Sequence, residues 1–254
     1  IYDVASLTKI LSTLPIIMEM VDRGLLSLDT KLKEMLPEYK GTDKENITLR
    51  RMLTHTARLE AWIPYYRKTL DEDTKQPMSK WYAKDYSSGF PYKVANDLYM
   101  KEDYKDSIYL QIKESDLRSQ SGYKYSDLPY YLLMKYIEEF FGAKLEDIVQ
   151  RDIYGPLGAN YSTYKPLEKF SKVKIPPTEE DNYFRMQKVQ GYVHDQGAAM
   201  MGGVSGHAGL FSNANDVAKI MQMYLWKGNY GGKQFISEDV LNDFNTCYYC
   251  DDKV

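Results

Sequence analysis

Two cysteines and three histidines in 254 residues leave little material for metal or redox chemistry. Cys247 and Cys250 form a single Cys-Tyr-Tyr-Cys near the end of the sequence. Half a zinc site would need a second such pair, and a redox pair would need a preceding βαβ pattern. Neither is present, so two ordinary thiols are expected and no metal or other cofactor. Long apolar runs are missing too: none approaches the roughly 20 residues of a membrane-spanning helix, and no signal peptide is recognisable. Lys and Arg are scattered, and the formal net charge is −3, so the basic footprint of a nucleic-acid binder is lacking. The chain opens Ile1-Tyr2-Asp3 without an initiator Met, and helical periodicity starts at Leu7. This reads as a segment of a longer polypeptide, and the lack of a signal is silent on location.

What is present suits one globular unit. Hydrophobic content of 43% and charged content of 27% are ordinary for a folded core. The 24 tyrosines suit cores, clefts and interfaces alike, because the ring can be buried while the hydroxyl stays hydrogen-bonded. Apolar residues at Leu7, Ile10, Leu11, Leu14, Ile17, Met18 and Val21 predict a helix stopped by Gly24 and kinked at Pro15. A short helix should end before Pro37, and Thr48 should cap another running to about His55. Residues 60–120 read as a mostly irregular excursion with one or two short helices. Strong helices are expected over Leu128–Phe141, with Tyr130, Leu133, Met134, Ile137, Phe140 and Phe141 inward, and over Leu145–Tyr154. Residues 165–182 should be a loop and Val189–Val193 a short strand. A further helix follows Ser212/Asn213, and a last short one begins at Ser237. No internal repeat or low-complexity tract interrupts the chain.

The chemistry lies in Ser-x-x-Lys. A serine hydroxyl is a weak nucleophile until a neighbouring base takes its proton, and a lysine three residues on lies one helical turn along the same face. The pattern occurs four times, at Ser6/Lys9, Ser121/Lys124, Ser162/Lys165 and Ser171/Lys174. Only Ser6 opens a strongly periodic helix, where a free backbone N–H is also available to an oxyanion. The alternative is a capping serine beside a surface lysine. His194, Asp195 and His207 suggest a metal-dependent hydrolase, but their spacing fits no common ligand pattern; shaping the cleft rim suits them better. His55 reads as structural, bonding helix ends. The glycines from Gly202 to Gly209 lack the Gly-Lys-Ser/Thr ending of a phosphate loop and read as tight backbone packing.

Several words stand in order: Asp3-Val4-Ala5-Ser6-Leu7-Thr8-Lys9, Gly24-Leu25-Leu26-Ser27-Leu28-Asp29, Ile47 through Thr56, Tyr125-Ser126-Asp127, and Gly206-His207-Ala208-Gly209-Leu210-Phe211-Ser212 with Asp216. Together they resemble the class C β-lactamase-like serine hydrolases, a family that includes D-Ala-D-Ala carboxypeptidases, D-aminopeptidases and esterases. Val193-His194-Asp195 with the Gly206–Ser212 stretch resembles a bacterial subgroup, some of whose members are fused behind a glycoside hydrolase family 3 domain. The resemblance implies an α+β, β-lactamase/transpeptidase-like fold. Residues 1–254 would form a single incomplete, helix-rich domain, with N- and C-terminal strands of the central antiparallel sheet lying outside it. It implies Ser6 as nucleophile, Lys9 as its activator, Tyr125 as a second proton-transfer group and Asp127 at the substrate. The expected reaction is acyl-enzyme hydrolysis of an ester, amide, D-amino-acid peptide or β-lactam, on a small-molecule or peptidoglycan-derived substrate in a periplasmic or extracytoplasmic setting. A non-catalytic peptidoglycan-binding or structural module is the alternative. Two features depart from the family: Asp127 replaces the usual Asn, which removes a donor, and the third motif, Lys/His-Thr/Ser-Gly, is absent. Tyr104-Lys105-Asp106 and Tyr249-Cys250-Asp251 also match Tyr-x-Asp; only Tyr125 stands at a helix start.

Overall fold

The computed structural model describes residues 1–250. The chain enters as a two-residue strand, Tyr2–Asp3, paired antiparallel with Phe211–Ser212. It turns immediately into a continuous helical stretch: a 3-10 turn at Ala5–Leu7, a π-helical segment at Lys9–Thr13 and an α-helix at Leu14–Asp22. Gly24, with φ of +68°, supplies the left-handed stop. The kink expected at Pro15 takes the form of the π segment, which widens the turn that proline's ring would otherwise strike. Proline also removes a donor from the helix ladder. The carbonyls on the preceding turn are met from elsewhere: the Tyr224 hydroxyl donates to the Ile10 carbonyl (2.7 Å) and the Tyr154 hydroxyl to the Leu11 carbonyl (3.1 Å).

The larger helices that follow are Leu32–Met35, Leu49–Leu53, Tyr104–Glu114, Leu128–Phe141, Ala214–Leu225 and Glu238–Phe244; Leu128–Phe141 and Glu238–Phe244 pack on this stretch, and Tyr104–Glu114 packs on Leu128–Phe141. Caps fall where the sequence placed them. The side chains of Thr48, Asn213 and Ser237 accept from Arg51, Asp216 and Val240 N–H groups. Gly142 ends the Leu128–Phe141 helix in the left-handed region at φ +61°. That helix buries Leu128, Tyr130, Tyr131, Leu132, Leu133, Met134 and Ile137, but Phe140 is 46% exposed, because the last turn runs past the core.

Several expectations are corrected. The excursion over 60–120 is more ordered than its composition suggested. It holds a three-stranded antiparallel sheet, with Leu98–Met100 between Tyr82–Ala83 and Tyr92–Ala95, and an 11-residue helix, Tyr104–Glu114. The helix starting at Leu145 continues past Gly155 and Pro156 to Leu157, since Pro156 sits in the first turn of a new α segment where no N–H is needed. The expected strand at Val189–Val193 lies earlier, at Gln187–Gln190, and pairs with Pro177–Asp181 from the presumed loop. Arg185 closes this hairpin: its side chain, 0% exposed, reaches the Asp181 and Glu179 carboxylates (2.6 and 3.0 Å) and the Val193 and His194 carbonyls (2.6 and 2.8 Å). The two cysteines are not separate thiols. The turn of Cys-Tyr-Tyr-Cys brings their Cα atoms to 5.6 Å, within bridging range, and they form a disulfide. No described helix is long and apolar enough to cross a membrane.

Candidate active site

Ser6 is presented by a strained turn. The Asp3 carboxylate accepts from the N–H groups of Ala5 (2.8 Å) and His194 (2.6 Å), and its burial nonetheless raises its pKa. Ala5 is held at φ +47°, a left-handed conformation that a residue with a Cβ adopts only under constraint. The turn leaves Ser6 exposed, while Lys9, three residues on, is only 3% exposed. Lys9 Nζ donates to Ser6 Oγ at 3.0 Å. It also contacts Asp127 Oδ1 at 2.7 Å and the His207 carbonyl at 3.4 Å. The ring faces of Tyr125 and Tyr130 lie 4.7 and 5.5 Å from Nζ, close enough for cation–π attraction.

Tyr125 and Asp127 arrive on the segment leading into the Leu128–Phe141 helix, and His55 holds that segment in place. His55 sits at φ +57°. Its carbonyl accepts from Lys124 N–H (2.9 Å) and its Nδ1 from Ser126 N–H (3.2 Å). Burial, aided by the nearby Lys9 charge, lowers its pKa to about 4, which keeps the ring neutral and Nδ1 free to accept. The ring packs on Tyr125 at 4.6 Å between centroids. His55 is therefore structural, as the sequence suggested, but what it binds is the Tyr125 segment rather than helix ends. The Tyr125 ring is 40% exposed, and its hydroxyl has no hydrogen bond among the described residues. Asp127 makes no side-chain cap on the helix it precedes. Ser126 Oγ takes the Leu128 N–H instead (3.3 Å), which frees the Asp127 carboxylate for Lys9.

The other wall is the turn from Ser205 to Leu210. It is sewn to the Lys9 helix along one polar face: Thr8 Oγ1 accepts from Leu210 N–H (3.1 Å), Lys9 reaches the His207 carbonyl, and Thr13 Oγ1 donates to the Gly206 carbonyl (2.7 Å). The Tyr164 hydroxyl bridges Ser12 Oγ (2.8 Å) and the Ser205 carbonyl (3.3 Å). Thr8, Ser12 and Thr13 are each 0% exposed. Approach is close enough to require glycine: a Cβ on Gly206 would lie 2.2 Å from the Tyr130 carbonyl oxygen. Within the turn, the His207 ring is fully engaged. Nε2 pairs with Asp195 Oδ1 and Nδ1 with Ser205 Oγ, both at 2.8 Å, and the ring stacks on Tyr131 at 4.4 Å.

The family model Beta-lactamase matches residues 1–242. The chain belongs to the Beta-lactamase family. It is 31% identical over 266 aligned residues to an Escherichia coli (strain K12) protein named "Putative D-alanyl-D-alanine carboxypeptidase", covering 97% of this chain and 55% of that protein. It is 29% identical to the N-acetylmuramyl-L-alanine amidase of Bacillus subtilis (strain 168), over 90% of this chain and 51% of that one. The chain thus spans about half the length of the curated relatives it matches. Among solved structures, the octameric penicillin-binding protein homologue from Pyrococcus abyssi superposes with a TM-score of 0.64 at 21% identity, over 97% of this chain and 49% of that one. The class C β-lactamase from Rhodobacter sphaeroides does so with a TM-score of 0.57 at 16% identity, over 96% and 55%. The fold is β-lactamase/transpeptidase-like.

In this Beta-lactamase family chain, the four residues singled out from sequence come together: Ser6, Asp127 and the Tyr125 ring all surround Lys9. The other Ser-x-x-Lys matches do not form such a group. Lys165 pairs with Glu146 (2.9 Å), and Ser162 bonds Ser212 (2.9 Å). Tyr104 is a buried core residue, and the Tyr249 match ends on Asp251, outside the described residues. Sequence reasoning gave His207 and Asp195 a rim-shaping role, with a metal site as the weaker alternative; nothing in their spacing announces a buried pair against the helix of Ser6 and Lys9. Asp127, Asp195 and His207 each offer a ligand atom within 4.8 Å of the others, but Lys9 already occupies the first and the Asp195–His207 bond the other two. His194, the third residue of the imagined metal set, is half exposed, with its Nε2 3.7 Å from Glu179. A cavity of about 1030 Å³ is lined by residues such as Tyr92, Lys105, Glu138 and Gly203 and by none of Ser6, Lys9, Tyr125 or Asp127. A smaller nook is walled by Trp62, Tyr66, Tyr131 and Asp195 together with Asp127.

Proposed function

We propose that this chain carries the nucleophile-bearing half of a serine hydrolase. Ser6 Oγ attacks an ester, amide or lactam carbonyl. Its proton leaves through Lys9, and Tyr125, whose hydroxyl is free, delivers a proton to the departing oxygen or nitrogen as its bond to the acyl carbon breaks. Water then attacks the acyl-enzyme and releases the acid. The Ser6 N–H, in the first turn of the helix, is suited to donate to the developing oxyanion. The observation that carries this reading is the buried Lys9 Nζ 3.0 Å from an exposed serine hydroxyl, because burial and contact are what make a lysine useful for proton transfer at a serine.

The names of the relatives, a D-alanyl-D-alanine carboxypeptidase and an N-acetylmuramyl-L-alanine amidase, support substrates derived from peptidoglycan and a site of action outside the cytoplasm. One observation favours a second reading, a non-catalytic binding module. Asp127 contacts Lys9 at 2.7 Å, and an ionised carboxylate there accepts only, so the site lacks the side-chain donor that an Asn would supply. Intact-mass analysis of the full-length protein after exposure to penicillin and to activated esters separates the two. The hydrolase gives a covalent adduct that maps to Ser6 and disappears in Ser6→Ala. A binding module gives none, and an adduct that persists in Ser6→Ala refutes the assignment of the nucleophile.

A further inference from the structure

Lys9 is surrounded by three oxygen acceptors, and two of them have an evident origin: Ser6 is the nucleophile, and Asp127 stands where the family carries its second motif. The third is a main-chain carbonyl, that of His207, 198 residues away in sequence. Behind it lies a buried polar chain for which the proposed chemistry has no use. His207 is 2% exposed, and both its ring nitrogens are bonded within the protein. Asp195 Oδ1 also caps the Gln196–Met200 helix by accepting from Ala198 N–H (2.7 Å). Its pKa is depressed although burial works against the charge, because the His207 ring and the Ala198 N–H both favour the carboxylate. An ionised carboxylate can only accept, so Nε2 is the donor of the Asp195 pair, and Nδ1 is bonded to the Ser205 hydroxyl. With Tyr131 stacked on one face, the ring has one orientation open to it. Gly197 lets this happen: a Cβ there would lie 2.0 Å from the Tyr131 hydroxyl.

We propose that Asp195, His207 and Ser205 form a positioning unit for Lys9. By locking the His207 ring they hold its carbonyl against Nζ, and so aim Lys9 at the Ser6 hydroxyl. The unit touches no reacting atom. Its groups face Asp127 and Tyr131 from the Leu128–Phe141 helix, and Lys9 from the nucleophile's helix. This rests on Lys9 being the proton-transfer partner of Ser6. A rigid carbonyl sets where the Lys9 nitrogen sits, and a displacement on the order of 1 Å at such a group can lower a rate about 100-fold.

The test is the rate of covalent labelling of Ser6 in the full-length protein by a fluorophosphonate and by an activated ester, with steady-state kinetics on the same ester. His207→Ala is expected to lower the labelling rate and kcat by about 10- to 100-fold with KM changed little. His207→Gln, which retains a side-chain donor toward Asp195, should recover a tenfold part of that loss. Ser205→Ala leaves the ring and its Asp195 bond in place and should lower the rate several-fold without altering circular dichroism, so it decides the matter if His207→Ala does not fold. Folded His207→Ala or Ser205→Ala labelling within about twofold of the parent overturns the proposal, as does loss that appears in KM alone. Failure of the nucleophile assignment looks different: labelling then persists in Ser6→Ala whatever stands at position 207.

Discussion

Proline 15 interrupts the helix that carries Ser6 and Lys9, and a tyrosine from a distant segment repairs the interruption. Replacing Tyr154 with Phe removes one hydroxyl and changes no packing volume of consequence. Tyr154 is 1% exposed, and its hydroxyl meets the Leu11 carbonyl at 3.1 Å. The loss leaves a buried carbonyl short of a donor, a change that destabilises by about 1–3 kcal/mol. For a chain of this size that corresponds to a fall in melting temperature of roughly 2–4 °C per kcal/mol, measurable by urea or thermal denaturation. The mechanism makes a sharper demand. Pro15→Ala restores a backbone N–H four residues after Leu11, so Tyr154→Phe should be milder by about 1 kcal/mol in the Pro15→Ala background, a coupling that a double-mutant cycle resolves. Equal destabilisation in both backgrounds, within about 0.5 kcal/mol, would refute the idea that the tyrosine substitutes for the donor proline lacks.

Three further outcomes follow from the geometry. His55 has a folded pKa of about 4 against an ordinary 6.5, so its contribution is complete above pH 6.5 and is lost as pH falls toward 4, where the unfolded chain takes up the proton more readily. His55→Asn keeps an acceptor and tolerates the positive φ; the parent should lose about 1–2 kcal/mol more stability than this variant between pH 7 and 4, after allowance for partial exposure. Denaturation curves across that range check it, and the carboxylates common to both proteins cancel. Arg185→Met leaves Asp181, 0% exposed, buried without its cation and should destabilise by about 3–5 kcal/mol, read as a lowered urea midpoint. Gly206→Ala must displace either the Tyr130 backbone or the 205–210 turn, so loss of stability and slower Ser6 labelling should appear together; a variant that labels and melts like the parent would show that the turn yields freely.

Local chemistry made part of this molecule readable in advance. Thr48, Asn213 and Ser237 cap helices because a short side-chain oxygen beside a periodic apolar run has few better uses, and Gly24 and Gly142 end helices where only a glycine takes the backbone easily. Ser6 and Lys9 were legible as a pair since three residues is one helical turn. What escaped was set by distant partners. The strands at Tyr82–Ala83, Tyr92–Ala95 and Leu98–Met100 are too short to show alternation and owe their pairing to one another. The apolar stripe of the first helix was overvalued. Leu7 is 45% exposed, while the polar residues Thr8, Lys9, Ser12 and Thr13 are buried, because the Ser205–Leu210 turn, some two hundred residues on, offers partners to Thr8, Lys9 and Thr13, and Tyr164 offers one to Ser12. His207 and Asp195 were visible as residues but not as a pair, since their bond depends on that same turn.

The polar face formed by Thr8, Lys9, Ser12 and Thr13 also acts as a rotational key. A helix packed only by leucines and isoleucines can turn about its own axis by a fraction of a residue and find nearly equal packing, since apolar contact has no direction. Here such a turn would carry four hydrogen-bonding groups past acceptors and donors fixed on the facing turn and on Tyr164, and would leave each of them dry and unpaired. Only one azimuth satisfies them all. That azimuth is the one at which a serine at the helix's first turn looks outward while a lysine one turn later looks in.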